Sequence, residues 1–87
     1  MIQVEKVGDD TYKVIVEERG SRSKHTVMLC KDYYSKLTGG QISPEELIRR
    51  SFEFLLERES KESILSSFDL PVIQRYFPEY ERTIRRL

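Results

Sequence analysis

The chain has 87 residues, the length of one domain with a single core, and at this size only ~60% of the unfolded surface is buried on folding. Charged residues make up 34% and balance at fifteen basic and fifteen acidic, seven and six of them in residues 1–43 and eight and nine in 44–87. That balance argues against a basic arm, an acidic tail and indiscriminate attraction to nucleic acid or acidic membrane.

Cys30 is the only cysteine, so no internal disulfide forms and a reducing cytoplasm is the expected setting. Charge enters at Glu5 and Lys6, which leaves no apolar signal-peptide region, and no stretch approaches the ~18 apolar residues of a membrane span. The aromatic share is 10% with no Trp, so four Phe and five Tyr must supply much of the core.

The first third alternates. Ile2 and Val4 share a face, with Gln3 and Glu5 opposite, and the Gly8–Asp10 turn signal follows. Tyr12, Val14 and Val16 then share a face, with Lys13, Ile15 and Glu17 opposite, before a second turn at Arg19–Ser23. In "KHTVMLCK", Val27 and Leu29 alternate with Thr26, Met28 and Cys30. Three such runs predict an antiparallel meander over residues 1–31, which needs a cover on one face.

Residues 32–87 read as the helical part. Asp32–Gly40 predicts about two helical turns, stopped by Gly39 and Gly40. "SPEELIRRSFEFLLERE" predicts one long helix: Ser43 and Glu46 fit a capping box and Pro44 sits at the first helical position. Glu45–Arg49 and Glu46–Arg50 are spaced for i,i+4 pairs. Leu47, Ile48, Phe52, Phe54, Leu55 and Leu56 span about 200° of this helix, more than the ~100° stripe that faces one layer. The helix is therefore expected to be covered on two sides, by the sheet and by the C-terminal segment or another chain. "SKESILSSF" predicts a short helix, Asp69 an N-cap for "LPVIQRYF", and Pro78 the start of a last helix with Tyr80, Ile84 and Leu87 on one stripe.

Chemistry-bearing motifs are sparse. His25 and Cys30 occur once each, and their odd separation puts them on opposite faces of a strand, which disfavours a Cys–His dyad. One His and one Cys cannot form a zinc site within the chain. No Gly-x-Ser-x-Gly elbow occurs, and the paired glycines of "KLTGGQIS" lack a phosphate-loop pattern, so no catalytic residue, metal site or cofactor is assigned. Two surfaces remain as candidates. Arg19, Arg22, Lys24 and His25 gather near the second turn as an anion or nucleic-acid patch. Arg75, Tyr76, Phe77, Tyr80 and Arg82 interleave aromatic and basic side chains as a partner surface, although the same aromatics recur at near-helical spacing and suit a core.

The segment Lys24–Glu59, an alternating strand, a short helical run, a capped loop and an amphipathic helix, resembles ribbon-helix-helix DNA-binding regulators and the antitoxins that share their architecture. The strand "DDTYKVIVEE" is similar to that of HicB-type antitoxins. The resemblance implies that Lys24, Thr26 and Met28 read bases and that Ser43 lies near phosphate. Two extra strands precede the ribbon, and neither face of it carries the basic and amide residues that usually read the major groove.

The expectation is thus an α+β domain: a three-stranded antiparallel meander, one long amphipathic helix and a short C-terminal helical segment. The expected function is that of a small non-catalytic cytoplasmic interaction or regulatory module working through protein contacts, with itself or with a heterologous partner. A nucleic-acid-binding regulator or antitoxin is the alternative, a small enzyme the third reading, and no membrane partner is expected.

Overall fold

A computed structural model describes residues 1–86. Three antiparallel strands open the chain: β1 (Ile2–Lys6), β2 (Thr11–Glu18) and β3 (Ser21–Met28). The alternation sets the register. Val4 pairs with Val14, Val14 with His25 and Tyr12 with Val27, so these side chains share the inner face. Gln3, Lys13, Lys24 and Thr26 take the outer face and are exposed.

The second turn is tighter than the Arg19–Ser23 signal predicts. Arg19 and Gly20 alone form it, both with positive φ (51° and 80°), as a two-residue type I′ hairpin requires. Arg22 and Ser23 therefore belong to β3 rather than to the turn.

Helix α1 (Lys31–Thr38) begins where Cys30 Sγ accepts from the Tyr33 amide, and it ends at Gly39, which is left-handed at φ 62°. Helix α2 (Pro44–Leu56) begins at Ser43, whose hydroxyl accepts from the Glu46 amide at 3.0 Å. The Glu46 carboxylate does not complete the capping box. It accepts instead from Arg49 and, at 2.8 Å, from Arg50. Arg49 also reaches Glu53 at 2.7 Å, so Glu46–Arg50 forms as spaced, and Arg49 takes Glu46 and Glu53 in place of Glu45.

Beyond α2 the structure departs from expectation. "SKESILSSF" yields a single 3-10 turn at Lys61–Ser63, and the chain then extends into a fourth strand, β4 (Ser67–Asp69). It pairs parallel to β3, with Phe68 beside Val27, and the mixed sheet runs β1-β2-β3-β4. A parallel neighbour requires a crossover connection, and α1 and α2 supply it. Asp69 accordingly lies in β4 and is not a helix cap; α3 (Val72–Tyr76) begins after Pro71 without a side-chain cap. The last helix, α4 (Tyr80–Arg85), buries Tyr80 and Ile84, while the third residue of that predicted stripe, Leu87, lies outside the described residues. Among the described residues the fold is α+β with a mixed four-stranded sheet and four helices; the predicted three-stranded meander, long helix and short C-terminal helical segment are matched in part, because β4 joins the sheet beside β3.

Helix α2 is covered on both sides. Phe52 packs toward the sheet, its ring 5.2 Å from that of His25 and 6.1 Å from that of Phe68. Phe54 packs toward the C-terminal helices, 5.9 Å from Phe77 and 5.3 Å from Tyr80, both edge-on. Among the described residues, no helix is long and apolar enough to cross a membrane.

Phe52 has no exposed surface. Phe52→Ala should cost about 3–5 kcal/mol of unfolding free energy in urea denaturation, through lost burial plus the cavity left behind. The Arg49 and Arg50 guanidiniums hold the Glu46 carboxyl at about 2, below its ordinary 4.5. The contribution of these ion pairs is therefore full above pH 4.5 and lost as pH falls toward 2. Glu46→Gln should flatten the acid slope of stability across that window, while costing under ~1 kcal/mol at neutral pH because the pairs are solvated.

Candidate functional site

The two surfaces expected from the sequence separate differently in three dimensions. In the C-terminal set, Tyr80 has no exposed surface. Its hydroxyl lies 2.6 Å from Ser51 Oγ, which itself donates to the Leu47 carbonyl, so Tyr80 is the donor of the pair. Burial pushes the Tyr80 phenol well above its ordinary range, and this side chain belongs to the core rather than to a partner surface. Phe77 is half-buried against Phe54, whereas Arg75, Tyr76 and Arg82 are exposed, Tyr76 to 66%.

Polar contacts tie this segment down. Tyr33 Oη donates to Glu81 at 2.9 Å, and Arg58 bonds Glu79 at 3.0 Å while its guanidinium lies 3.6 Å over the Phe54 ring. Gln74 donates to the Pro78 carbonyl and accepts from the Glu81 amide. Burial and the bond to Glu81 push the Tyr33 phenol up, consistent with a donor that stays protonated.

The basic set divides as well. Arg19 sits in the hairpin turn, Arg22 is paired with Glu17 at 3.0 Å and Lys24 is exposed on the outer face. His25 is only 3% exposed and points inward, so it leaves the patch. Its Nδ1 lies 2.8 Å from the Leu65 carbonyl and its Nε2 2.9 Å from Ser23 Oγ. A carbonyl only accepts, so Nδ1 carries a proton and donates to Leu65, while Nε2 is bonded to the Ser23 hydroxyl. The histidine thus clips the segment before β4 to the sheet. Of the base readers implied by the ribbon-helix-helix resemblance, Lys24 and Thr26 stand on the open outer face and Met28 is half-buried. Their strand, β3, is hydrogen-bonded on both edges, to β2 and to β4.

A feature that sequence reasoning missed lies below β4. An apolar groove of about 230 Å3 runs between the C-terminal end of α2, the 3-10 turn, β4 and α3. Leu55, Ile64 and Phe68 form its floor, and Leu65, Tyr76 and Phe77 its walls. Among the described residues, the exposed large apolar side chains are Met1, Val7, Leu65 and Tyr76, and the last two both line this groove. No periodicity marks Leu65, because it lies in an irregular segment between two short elements; its only sequence signal is an apolar residue among serines. Among the described residues, Glu59 is the one charged residue of the lining.

A second hollow of about 330 Å3 mixes Lys6, Asp9, Asp10 and Lys31 with Tyr12 and Tyr34. Burial, then Glu45 and Asp10, push the Tyr12 phenol up. Among the described residues, no group of three His, Cys, Asp or Glu side chains is placed to hold a metal ion. Cys30 lies at the start of α1 and His25 beneath the sheet.

Comparison of the chain with protein-family models, curated proteins and solved structures returns no match.

His25→Leu keeps an apolar body but removes the donor to Leu65. It should cost about 1 kcal/mol in chemical denaturation and speed hydrogen exchange at the amides of residues 64–67, while leaving the β1–β2 amides unchanged.

Proposed function

We propose that this chain is a small non-catalytic interaction or regulatory module of the cytoplasm acting through protein contacts, and that the groove between α2, β4 and α3 is its contact surface. The observation that carries the reading is the convergence of Leu65 and Tyr76, both exposed, on one apolar groove. Scattered apolar side chains on a surface are ordinary, whereas apolar side chains gathered around a concavity mark a contact site. At about 230 Å3 the groove is smaller than the ~300–1,000 Å3 of small-molecule pockets, a size that suits one or two side chains of a protein partner. One wall is anchored by Phe77 on Phe54 and the floor by Phe68 on Phe52, which supports a preformed site.

A nucleic-acid-binding regulator is the weaker reading. The outer sheet face carries Lys13, Lys24 and Thr26, but Glu5, Glu17 and Asp69 are interspersed among them, and β3 offers no free edge for pairing with a second copy. Such a regulator would bind duplex DNA with an affinity falling steeply as salt rises.

The test is a photo-crosslinking amino acid placed at position 76, and in a control at position 13 on the outer face, in cells of the source organism. Crosslinking to one discrete protein from position 76, absent from position 13 and reduced at least tenfold by Leu65→Asp, is the expected result. Crosslinking from position 13 alone, or salt-sensitive DNA binding unaffected by Leu65→Asp, would overturn the reading.

A further inference from the structure

The groove adjoins a free strand edge, and the two together specify how a partner is held. In a parallel pair, alternate residues turn both backbone groups toward the neighbouring strand. The Ser66 carbonyl accepts from Thr26 at 2.8 Å and the Leu70 amide donates to Met28 at 2.9 Å, so Ser66, Phe68 and Leu70 face β3. The N–H and C=O groups of Ser67 and Asp69 are thereby directed to the open edge of the sheet. β4 is the last strand in the order and Ser66, Ser67 and Asp69 are all exposed, so among the described residues no further strand pairs with that edge. Phe68, between them, points inward and forms part of the groove floor.

We propose that an extended segment of a partner protein adds to the sheet as a fifth strand along β4, with alternate apolar side chains dropping into the groove. A residue paired opposite Phe68 shares its face and lies over the groove, while the residues on either side of it face outward. Charge completes the description of the occupant. Glu59 on the groove wall and Asp69 on the outer face have no ion pair among the described residues, whereas Glu62 nearby is already paired with Lys61 at 2.7 Å. Among the described residues, no basic side chain lines the groove. The segment that fits is therefore extended, free of proline at the pairing positions, apolar at alternate residues and flanked by Lys or Arg. This inference rests on the groove being the contact surface and adds the mode of binding and the partner's chemistry.

The test is selection of a displayed library of random dodecapeptides on the immobilised full chain, followed by hydrogen exchange of the complex with the best binder made synthetically. Enriched sequences should alternate apolar residues with Lys or Arg. The bound peptide should slow exchange at the Ser67 and Asp69 amides at least tenfold, and methylation of its backbone nitrogens at the pairing positions should weaken binding at least tenfold. Leu65→Asp, at a surface position that the fold does not need, should also weaken binding at least tenfold. Enrichment of helically spaced apolar residues, with groove shifts but unchanged exchange at Ser67 and Asp69, would overturn strand addition and leave the groove as contact surface. Failure to enrich any sequence, or binding insensitive to Leu65→Asp, would overturn both.

Discussion

Phe52 and Phe54 stand two residues apart on one helix, which places them about 200° apart around its axis. Neither can be buried by the layer that buries the other. The sheet takes Phe52, through Val14, Val27, His25 and Phe68 on its inner face, and the C-terminal helices take Phe54, through Phe77 and Tyr80. The rest of the architecture follows from that requirement. A three-layer arrangement needs a chain that returns past α2 after crossing it, and residues 57–86 make that return. Ser51 lies on the helix between the two aromatic faces, and its bond to Tyr80 secures the far layer with a buried polar contact in which both hydroxyls are satisfied.

The parts of this fold that declare themselves in the sequence are those with a repeated period. The β2 alternation of Tyr12, Val14 and Val16, and the wide apolar arc of α2, each draw on several residues, and both appear as read. Capping chemistry is equally local, so Ser43 and Gly39 end up where their side-chain or backbone properties demand. β4 has no such signal. It is three residues long with one inward side chain, Phe68, and it exists because β3 offers a pairing edge and the Phe52 ring a contact. Both causes are tertiary. The same Asp69 that reads as a helix cap in isolation is extended here, since parallel pairing with β3 takes precedence over a local turn.

The candidate site was legible only in part, for a related reason. In "QRYFPEY" the spacing shows that some aromatics are core, but which ones depends on the turn between α3 and α4. Phe77 lies between the helices with a backbone that is neither helical nor left-handed (φ −133°, ψ 89°), and the change of direction there separates exposed Tyr76 from buried Tyr80. His25 shows the opposite effect. Sequence places it beside Arg22 and Lys24, while strand alternation turns it away from Lys24 and under the sheet, where both ring nitrogens find partners.

The position of the groove is a consequence of the same constraint on α2. One wall carries Phe77, which belongs to the cover over Phe54, and the floor carries Phe68, which belongs to the cover over Phe52. Leu55, the next residue along the helix, lies at the bottom of the groove between them. The groove is therefore the seam where two covers of one helix meet and fail to close. A seam of this kind is a costly place for a small protein to leave apolar side chains in water, since Leu65 and Tyr76 contribute little to the fold at 47% and 66% exposure. Polar residues there would be tolerated by the fold, because the two covers are anchored from within, by Phe52, Phe54, Ser51 and the His25 clip. Two large apolar side chains stand where stability does not require them, and that placement supports the proposal that the seam is a surface for another chain.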